Sequence, residues 1–176
     1  MHTWIALLRG INIGGNHLLP MKQLTALLEH NACSDVKTYI QSGNVVFRSP
    51  DADPAALGQR ITAAISASHG FAPRVLVLTR DEFAAAAADN PFAAVADPKT
   101  VHLFFLAAPS AAAPAAFTPH TTSERYALHP RCFYLHTPDG FGKSKLAEKA
   151  ERLLGVPATA RNLRTVGTLL ELASTY

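Results

Sequence analysis

The strongest fold signal in this 176-residue chain is a β-hairpin in its first quarter. Two β-rich runs, residues 36–41 and 45–48, flank the turn residues Ser42, Gly43 and Asn44. Glycine and asparagine between two such runs are typical of a hairpin, because they adopt the backbone conformations that tight turns require. The hairpin predicts antiparallel pairing here and disfavours a parallel, doubly wound sheet.

The segment before the hairpin predicts one strand and one helix. Residues 2–8 are short and apolar, as in a buried strand, and a glycine- and asparagine-rich loop follows over residues 10–19. Pro20 suits the first position of a helix, and Leu24 and Leu28 continue it at helical spacing.

The segment after the hairpin predicts a second helix and a further strand. Pro54 opens the helix, and residues 73–79 read as the strand. The order strand, helix, hairpin, helix, strand is that of a split βαβ, or ferredoxin-like, motif. We therefore expect the first strand to lie beside the strand of residues 45–48, with both helices backing the sheet.

The second half of the chain partly echoes the first. A proline at position 114 interrupts one of its apolar segments, so that segment can form only a short, broken helix. The predicted elements are a helix at 82–88, a strand at 101–107, a broken helix at 110–117, a hairpin of 126–129 with 132–137, and helices at 144–155 and 162–173.

These patterns predict an α+β protein built from two sequential ferredoxin-like, βαββαβ-like halves whose antiparallel sheets pack on each other. The predicted boundaries are residues 1–80 for a ferredoxin-like N-terminal subdomain and 81–176 for an α+β C-terminal subdomain. The connection near residues 79–81 lacks a Pro/Ser-rich linker, so we expect the halves to pack together.

Composition limits the class of protein. Apolar residues make up 48% of the chain and charged residues 16%, which is ample for a core and argues against extensive disorder. The sequence contains no run of roughly 20 apolar residues and no secretory leader, so we expect a cytoplasmic protein with no membrane partner. Cys33 and Cys132 are then expected to be buried, reduced thiols.

Three longer motifs resemble a known family. They are LLRGINIGGN at residues 7–16, TYIQSGNVVF at 38–47, and GKSKL followed by TARNLRTV between 142 and 166. In this order they resemble domain of unknown function family 1697 over essentially the whole chain. The resemblance implies a fold of two α+β subdomains and implies no reaction. Leu163 departs from the family pattern, in which an aromatic residue is usual at this position.

Two glycine-containing stretches resemble nucleotide-binding motifs but do not match them. Gly142, Lys143 and Ser144 fit the end of a P-loop, yet Thr137 occupies the position of its first glycine. The glycines of residues 10–15 likewise lack GxGxxG spacing. A hairpin-to-helix turn is the favoured interpretation of the first stretch. An anion-presenting loop and an ordinary connection are equally weighted for the second.

No catalytic or metal site is indicated. The eight histidines have no metal-ligand spacing, and the two cysteines lie near no HxxH pair. No GxSxG nucleophile elbow is present. We therefore predict no metal and no cofactor, and we leave open whether the protein is an enzyme.

Cations near two predicted helix starts suggest an anionic ligand. Lys143 and Lys145 lie beside the start of one helix and Arg161 and Arg164 beside the start of the next, where positive charge opposes the helix dipole. The alternative is that these side chains simply reach water or pair with nearby carboxylates. The two interpretations stay open, with the solvent-exposed one slightly favoured.

The leading hypothesis is binding of a phosphate-bearing or other anionic ligand, with nucleic acid among the candidates, at the junction of the two halves. The predicted ligand-binding residues are Arg9, Asn12, Lys143, Lys145, Arg161 and Arg164. An enzyme acting on a small phosphorylated or carboxylated metabolite is the first alternative, and a structural or protein-interaction module is the second. The sequence does not specify the oligomeric state.

Overall fold

The computed structural model describes residues 1–119 and 121–176. Its first six elements follow the predicted order strand, helix, hairpin, helix, strand. They are β1 (His2–Arg9), α1 (Met21–His30), β2 (Ser34–Tyr39), β3 (Asn44–Ser49), α2 (Pro54–His69) and β4 (Arg74–Thr79).

The first sheet is antiparallel and has the strand order β2-β3-β1-β4. Trp4 on β1 lies opposite Phe47 on β3 and opposite Thr79 on β4, so β1 is a central strand. The prediction that the first strand lies beside residues 45–48 is confirmed.

Both helices pack on one face of this sheet. The shared core combines strand residues with the apolar stripes of the helices, and its members include Trp4, Leu24, Leu28, Phe47, Leu57, Ile61 and Ile65. Pro54 is the first residue of α2, and the Asp53 carboxylate accepts bonds from the N–H groups of Ala55 and Ala56. Pro20 instead precedes α1 as its N-cap residue, one position earlier than predicted.

A close backbone approach explains the glycine in the hairpin. The φ angle of Gly43 is +88°, in the left-handed region that favours glycine. Its carbonyl oxygen accepts a 2.8 Å bond from the N–H of Leu8. A Cβ atom at this position would lie 2.6 Å from the Cβ of Leu8, so no side chain fits without displacement.

The remaining helices and strands are α3 (Arg80–Ala88), β5 (Val101–Leu106), β6 (Arg125–Leu128), β7 (Cys132–His136), α4 (Lys145–Leu154), β8 (Ala158–Asn162) and α5 (Leu163–Ala173). The four strands form a second antiparallel sheet with the order β6-β7-β5-β8. Residues Pro114–Ala116 form a single 3-10 turn, in agreement with the short, broken helix expected there.

Strand β8 was not predicted from the sequence. Its residues, ATARN, contain only one β-branched side chain and no apolar run. The strand exists because it pairs with β5, where Leu103 lies opposite Arg161. Helix α5 therefore begins at Leu163, and the Asn162 side chain caps it by accepting a 2.9 Å bond from the N–H of Thr165.

Helix α4 covers one face of the second sheet. Leu146, Ala150 and Leu154 recur every four residues along the helix and are buried against Phe104, Phe133 and Leu135 of the sheet. The opposite face of the helix is left to solvent, which is where its charged residues lie.

Two compact units divide the chain. The first contains Met1–Ala84 together with Thr168–Tyr176, and the second contains Ala85–Gly167. Over the described residues, five α-helices and two four-stranded antiparallel sheets in sequential halves confirm the α+β fold class. The ferredoxin-like label and the boundaries 1–80 and 81–176 stay predictions.

None of the helices in the described part of the chain has the length and apolarity needed to cross a membrane. Cys33 and Cys132 are both buried free thiols.

Candidate anion-binding site

Helix α4 is defined by a cap at each end. The Ser144 hydroxyl accepts a 3.0 Å bond from the N–H of Ala147, which satisfies one of the otherwise unbonded donors of the first turn. Gly155 ends the helix with a φ of 70° and donates its N–H to the carbonyl of Glu151. The helix therefore holds its side chains in a fixed register.

Three cations share one side of α4. Lys145, Lys149 and Arg152 occupy positions i, i+4 and i+7, which lie along one stripe of a helix. All three line a cleft of about 280 Å³, which we call the α4 cleft. Its other lining residues are Ala116, Thr118, Leu146 and Leu153. The cleft thus combines positive charge, one hydroxyl group and an apolar surface.

The electrostatics of the stripe are only partly balanced by nearby carboxylates. Lys145 Nζ lies 3.1 Å from Glu148 Oε2. This hydrogen bond, followed by the charges of Lys145, Lys149 and Arg152, lowers the pKa of Glu148. The carboxylate of Glu151 accepts a bond from the backbone N–H of Ala158 on β8. Like charges at i, i+4 repel, so an anion in the cleft would relieve repulsion between the cations.

The predicted residues Lys143 and Lys145 lie at the start of α4, as expected. Lys145 is its first residue and lines the α4 cleft. Lys143 ends the short 3-10 helix Phe141–Lys143 and is not part of the cleft lining. The stretch Gly142-Lys143-Ser144 connects an antiparallel strand to α4, as the hairpin-to-helix interpretation requires.

The predicted residue Arg161 lies on the other face of the second sheet from α4. Its neighbour Ala160 packs against the core beneath α4, and side chains alternate along a strand. Arg161 Nη1 donates a 2.9 Å bond to the Ala160 carbonyl, and burial lowers the pKa of this guanidinium to about 10. Arg164 is exposed in the first turn of α5. Neither arginine lines the α4 cleft.

The predicted residues Arg9 and Asn12 belong to the first unit. Arg9 ends β1 opposite Arg74, and burial together with the Arg74 charge lowers its pKa. The Asn12 amide donates to the carbonyls of Leu19, at 3.0 Å, and Gln41, at 2.7 Å. Its oxygen accepts a 2.8 Å bond from the N–H of Leu19. Asn12 therefore holds the glycine-rich loop in place.

Sequence reasoning missed Lys149 and Arg152. The signal was present, because both continue from Lys145 at helical spacing within a helix that the sequence predicted correctly. The other wall of the cleft could not be predicted from the sequence. Ala116 ends the 3-10 turn Pro114–Ala116 and Thr118 follows it, about 30 residues earlier in the chain than α4.

A metal centre is not evident within residues 1–119 and 121–176, where no group of three or more potential ligands comes together.

These observations define an α+β protein of two compact units with a cationic cleft on the second. The chain belongs to the family described as Protein of unknown function (DUF1697), whose model matches residues 1–134. The matched region contains the motifs at residues 7–16 and 38–47, and the third motif lies beyond it.

A solved structure has the same fold. The conserved bacterial protein SP0830 from Streptococcus pneumoniae superposes with a TM-score of 0.74, over 98% of each chain and at 21% sequence identity. At this identity the likeness establishes the fold alone. A comparison with curated proteins finds no match.

Proposed function

We propose that this protein binds a phosphate-bearing ligand in the α4 cleft. The observation that carries the proposal is the convergence of Lys145, Lys149 and Arg152 on one cleft of about 280 Å³. Lysine offers a point charge, and arginine offers a planar fork that can hold two phosphate oxygens at once. Charge-assisted hydrogen bonds of this kind are among the strongest in proteins.

The length of the stripe favours a ligand with more than one phosphate group. Lys145 and Arg152 are seven residues apart, which corresponds to about 10 Å along the helix axis at 1.5 Å per residue. A single phosphate contacts only part of such a stripe. A diphosphate contacts more of the stripe than one phosphate does, and the backbone of single-stranded nucleic acid can run along all of it. Leu146 and Leu153 offer apolar contact for the remainder of the ligand.

Binding of two probes tests the proposal: pyrophosphate by calorimetry and a fluorescent single-stranded oligonucleotide by anisotropy. Changing Lys149→Gln together with Arg152→Gln should weaken binding at least tenfold, because two charge-assisted contacts are lost. For the oligonucleotide, the slope of log K against log salt should become shallower by about 1.4, at roughly 0.7 per phosphate contact on a single strand.

The matched control removes the same charge elsewhere. Lys22→Gln with Arg131→Gln changes two exposed cations outside the cleft and should leave both affinities within about twofold of the parent. If both double variants lost affinity equally, the loss would be due to net charge and not to the cleft. Undiminished binding in the cleft variant would refute the site. Substituting Arg161 and Arg164 in the same assay tests these two predicted residues separately.

A further inference from the structure

A second cleft, of about 380 Å³, lies in the first unit. Thr3, Arg48, Thr79, Arg80 and Tyr176 are among the residues that line it. They come from the ends of three adjacent strands, the start of α3 and the end of the chain. We call it the Arg48–Arg80 cleft. Its volume lies within the usual range for small-molecule sites, roughly 300–1,000 Å³.

The sheet itself places the two arginines on either side of one threonine. Thr3 on β1 lies directly opposite Arg48 on β3. On the other side of β1, Trp4 lies opposite Thr79, so the next residue, Arg80, follows beside Thr3. Neighbouring strands are about 4.8 Å apart, and the two arginine Cα atoms are therefore separated by roughly 10 Å. Long side chains across such a gap can reach the same bound group.

The existing partners of these arginines are weak. Arg48 Nη1 lies 3.7 Å from Asp35 Oδ2, and Arg80 Nε lies 3.4 Å from Asp81 Oδ1. The Asp81 side chain is 88% exposed, so its carboxylate competes poorly for Arg80. Exposed ion pairs of this length contribute little, and each uses a small part of a guanidinium with five N–H donors. Both forks retain capacity for an oxyanion.

The aromatic ring of Tyr176 lines the cleft and is held in place by two contacts, and a third contact holds the preceding residue. The Tyr176 hydroxyl donates a 2.6 Å bond to the Asp35 carbonyl. Lys37 Nζ lies 4.5 Å from the centre of the Tyr176 ring and donates to Thr175 Oγ1 at 2.7 Å. The ring is therefore fixed beside the arginines, with the Lys37 ammonium over one face, and it contributes apolar surface to the cleft.

We propose that the Arg48–Arg80 cleft binds a small organic oxyanion, a carboxylate or a phosphate monoester, that carries an aromatic ring. The two guanidinium forks hold the oxygens in bidentate fashion, Thr3 supplies a hydroxyl group, and the ring of the ligand packs on Tyr176. This site is independent of the α4 cleft, because its lining residues belong to the other unit.

Amide-shift titrations of the full-length ¹⁵N-labelled protein with phenyl phosphate and with benzoate test this inference. Saturable shifts should be largest at Thr3, Arg48, Arg80 and Tyr176. The two probes share a ring and differ in the anionic group, so the tighter one identifies the preferred head group. We take a Kd of about 1 mM as the weak limit of specific binding. If neither probe gave saturable shifts at concentrations up to about 20 times that value, the proposal would be overturned.

Variants separate the roles of fork and charge. Arg48→Gln with Arg80→Gln should lower the affinity for the probe at least tenfold. Arg48→Lys with Arg80→Lys should lower it at least fivefold, because lysine keeps the charge and loses the fork. The control Lys22→Gln with Arg131→Gln should bind like the parent.

The amide spectrum also shows whether each variant is folded. If the glutamine variant does not fold, the affinity of the lysine variant alone tests the proposal. Full affinity in the lysine variant would show that the forks are not used and would overturn the proposal. Shifts confined to α4 would do the same, since they would place the probe in the other cleft.

Discussion

Asn12 illustrates how a single side chain can be read in two ways. A polar residue in a glycine-rich loop is a reasonable ligand donor, and the sequence predicts Asn12 as one. In the structure its φ angle is +53°, a conformation that asparagine tolerates better than most residues. Its amide bonds to Leu19 and Gln41 tie the loop to the hairpin turn. A structural role accounts for this residue, and ligand contact stays a prediction.

Gly43 is a second position where one residue decides the local structure. Gly43→Ala should lower the free energy of unfolding by more than about 2 kcal/mol, because the added Cβ would lie 2.6 Å from Leu8 and 2.9 Å from Ile11 in a left-handed backbone. Gly10→Ala is the matched control: its φ is +82°, but a Cβ there meets nothing within 4 Å. Backbone strain alone, about 1 kcal/mol, is expected for it. Equal losses in urea denaturation would contradict the steric explanation.

At the scale of elements, sequence pattern predicted most of the fold. Helix α2 and the hairpin could be found because apolar periodicity, proline and glycine are local signals. Strand β8 could not, since its identity depends on pairing with β5, more than 50 residues earlier in the chain. Arg161 lies two residues before α5, beside a helix start as expected, but it also belongs to this unpredicted strand. The predicted residue Lys145 lines the α4 cleft together with Lys149 and Arg152, which were not predicted. Ligand binding at these residues stays a prediction.

The N-cap of α4 offers a test at this scale. Ser144→Ala removes the bond to the N–H of Ala147 and should lower the free energy of unfolding by about 1 kcal/mol. Ser66→Ala, at an exposed position inside α2, is the control and should be neutral or slightly stabilising, because alanine is the better helix former. Thermal and urea denaturation measure both. No loss in the Ser144 variant would mean that water replaces the cap without cost.

At the scale of the whole molecule, the stability should depend on pH through a half-buried histidine. His102 is stacked on Phe141 at 3.8 Å between ring centroids, and its Nδ1 atom has no hydrogen-bond partner within the described residues. Burial lowers the pKa of His102 from 6.5 to about 4. The unfolded chain therefore takes up a proton near pH 6.5, whereas the folded protein does so only near pH 4. The free energy of unfolding falls as pH is lowered through this window, by about 3 kcal/mol at most.

Replacing the imidazole isolates this contribution. His102→Phe keeps a ring against Phe141 and should flatten the dependence of unfolding free energy on pH between 6.5 and 4, as measured by urea denaturation. His30→Gln, at an exposed position on α1, should keep the parent's slope. His136 also makes the free energy of unfolding fall as pH is lowered, because burial and the Arg125 charge lower its pKa. This contribution is present in both variants. An unchanged slope in the His102 variant would show that this group titrates normally.

The two units differ in the segment that connects the first two strands of the sheet. In the first, helix α1 connects β1 to β2 and covers the sheet. Between β5 and β6 the described residues contain no α-helix, and Phe117 from this connection is buried instead, 4.7 Å from the ring of Phe133. Pro114 gives the local reason, since proline interrupts a helix. The same connection supplies one wall of the α4 cleft.

Met1 and Tyr176 both line the Arg48–Arg80 cleft and therefore lie close together. This position affects how the protein is prepared for binding measurements. An affinity tag attached to either residue would start at the mouth of the cleft, so the tag should be cleaved before an anion is titrated.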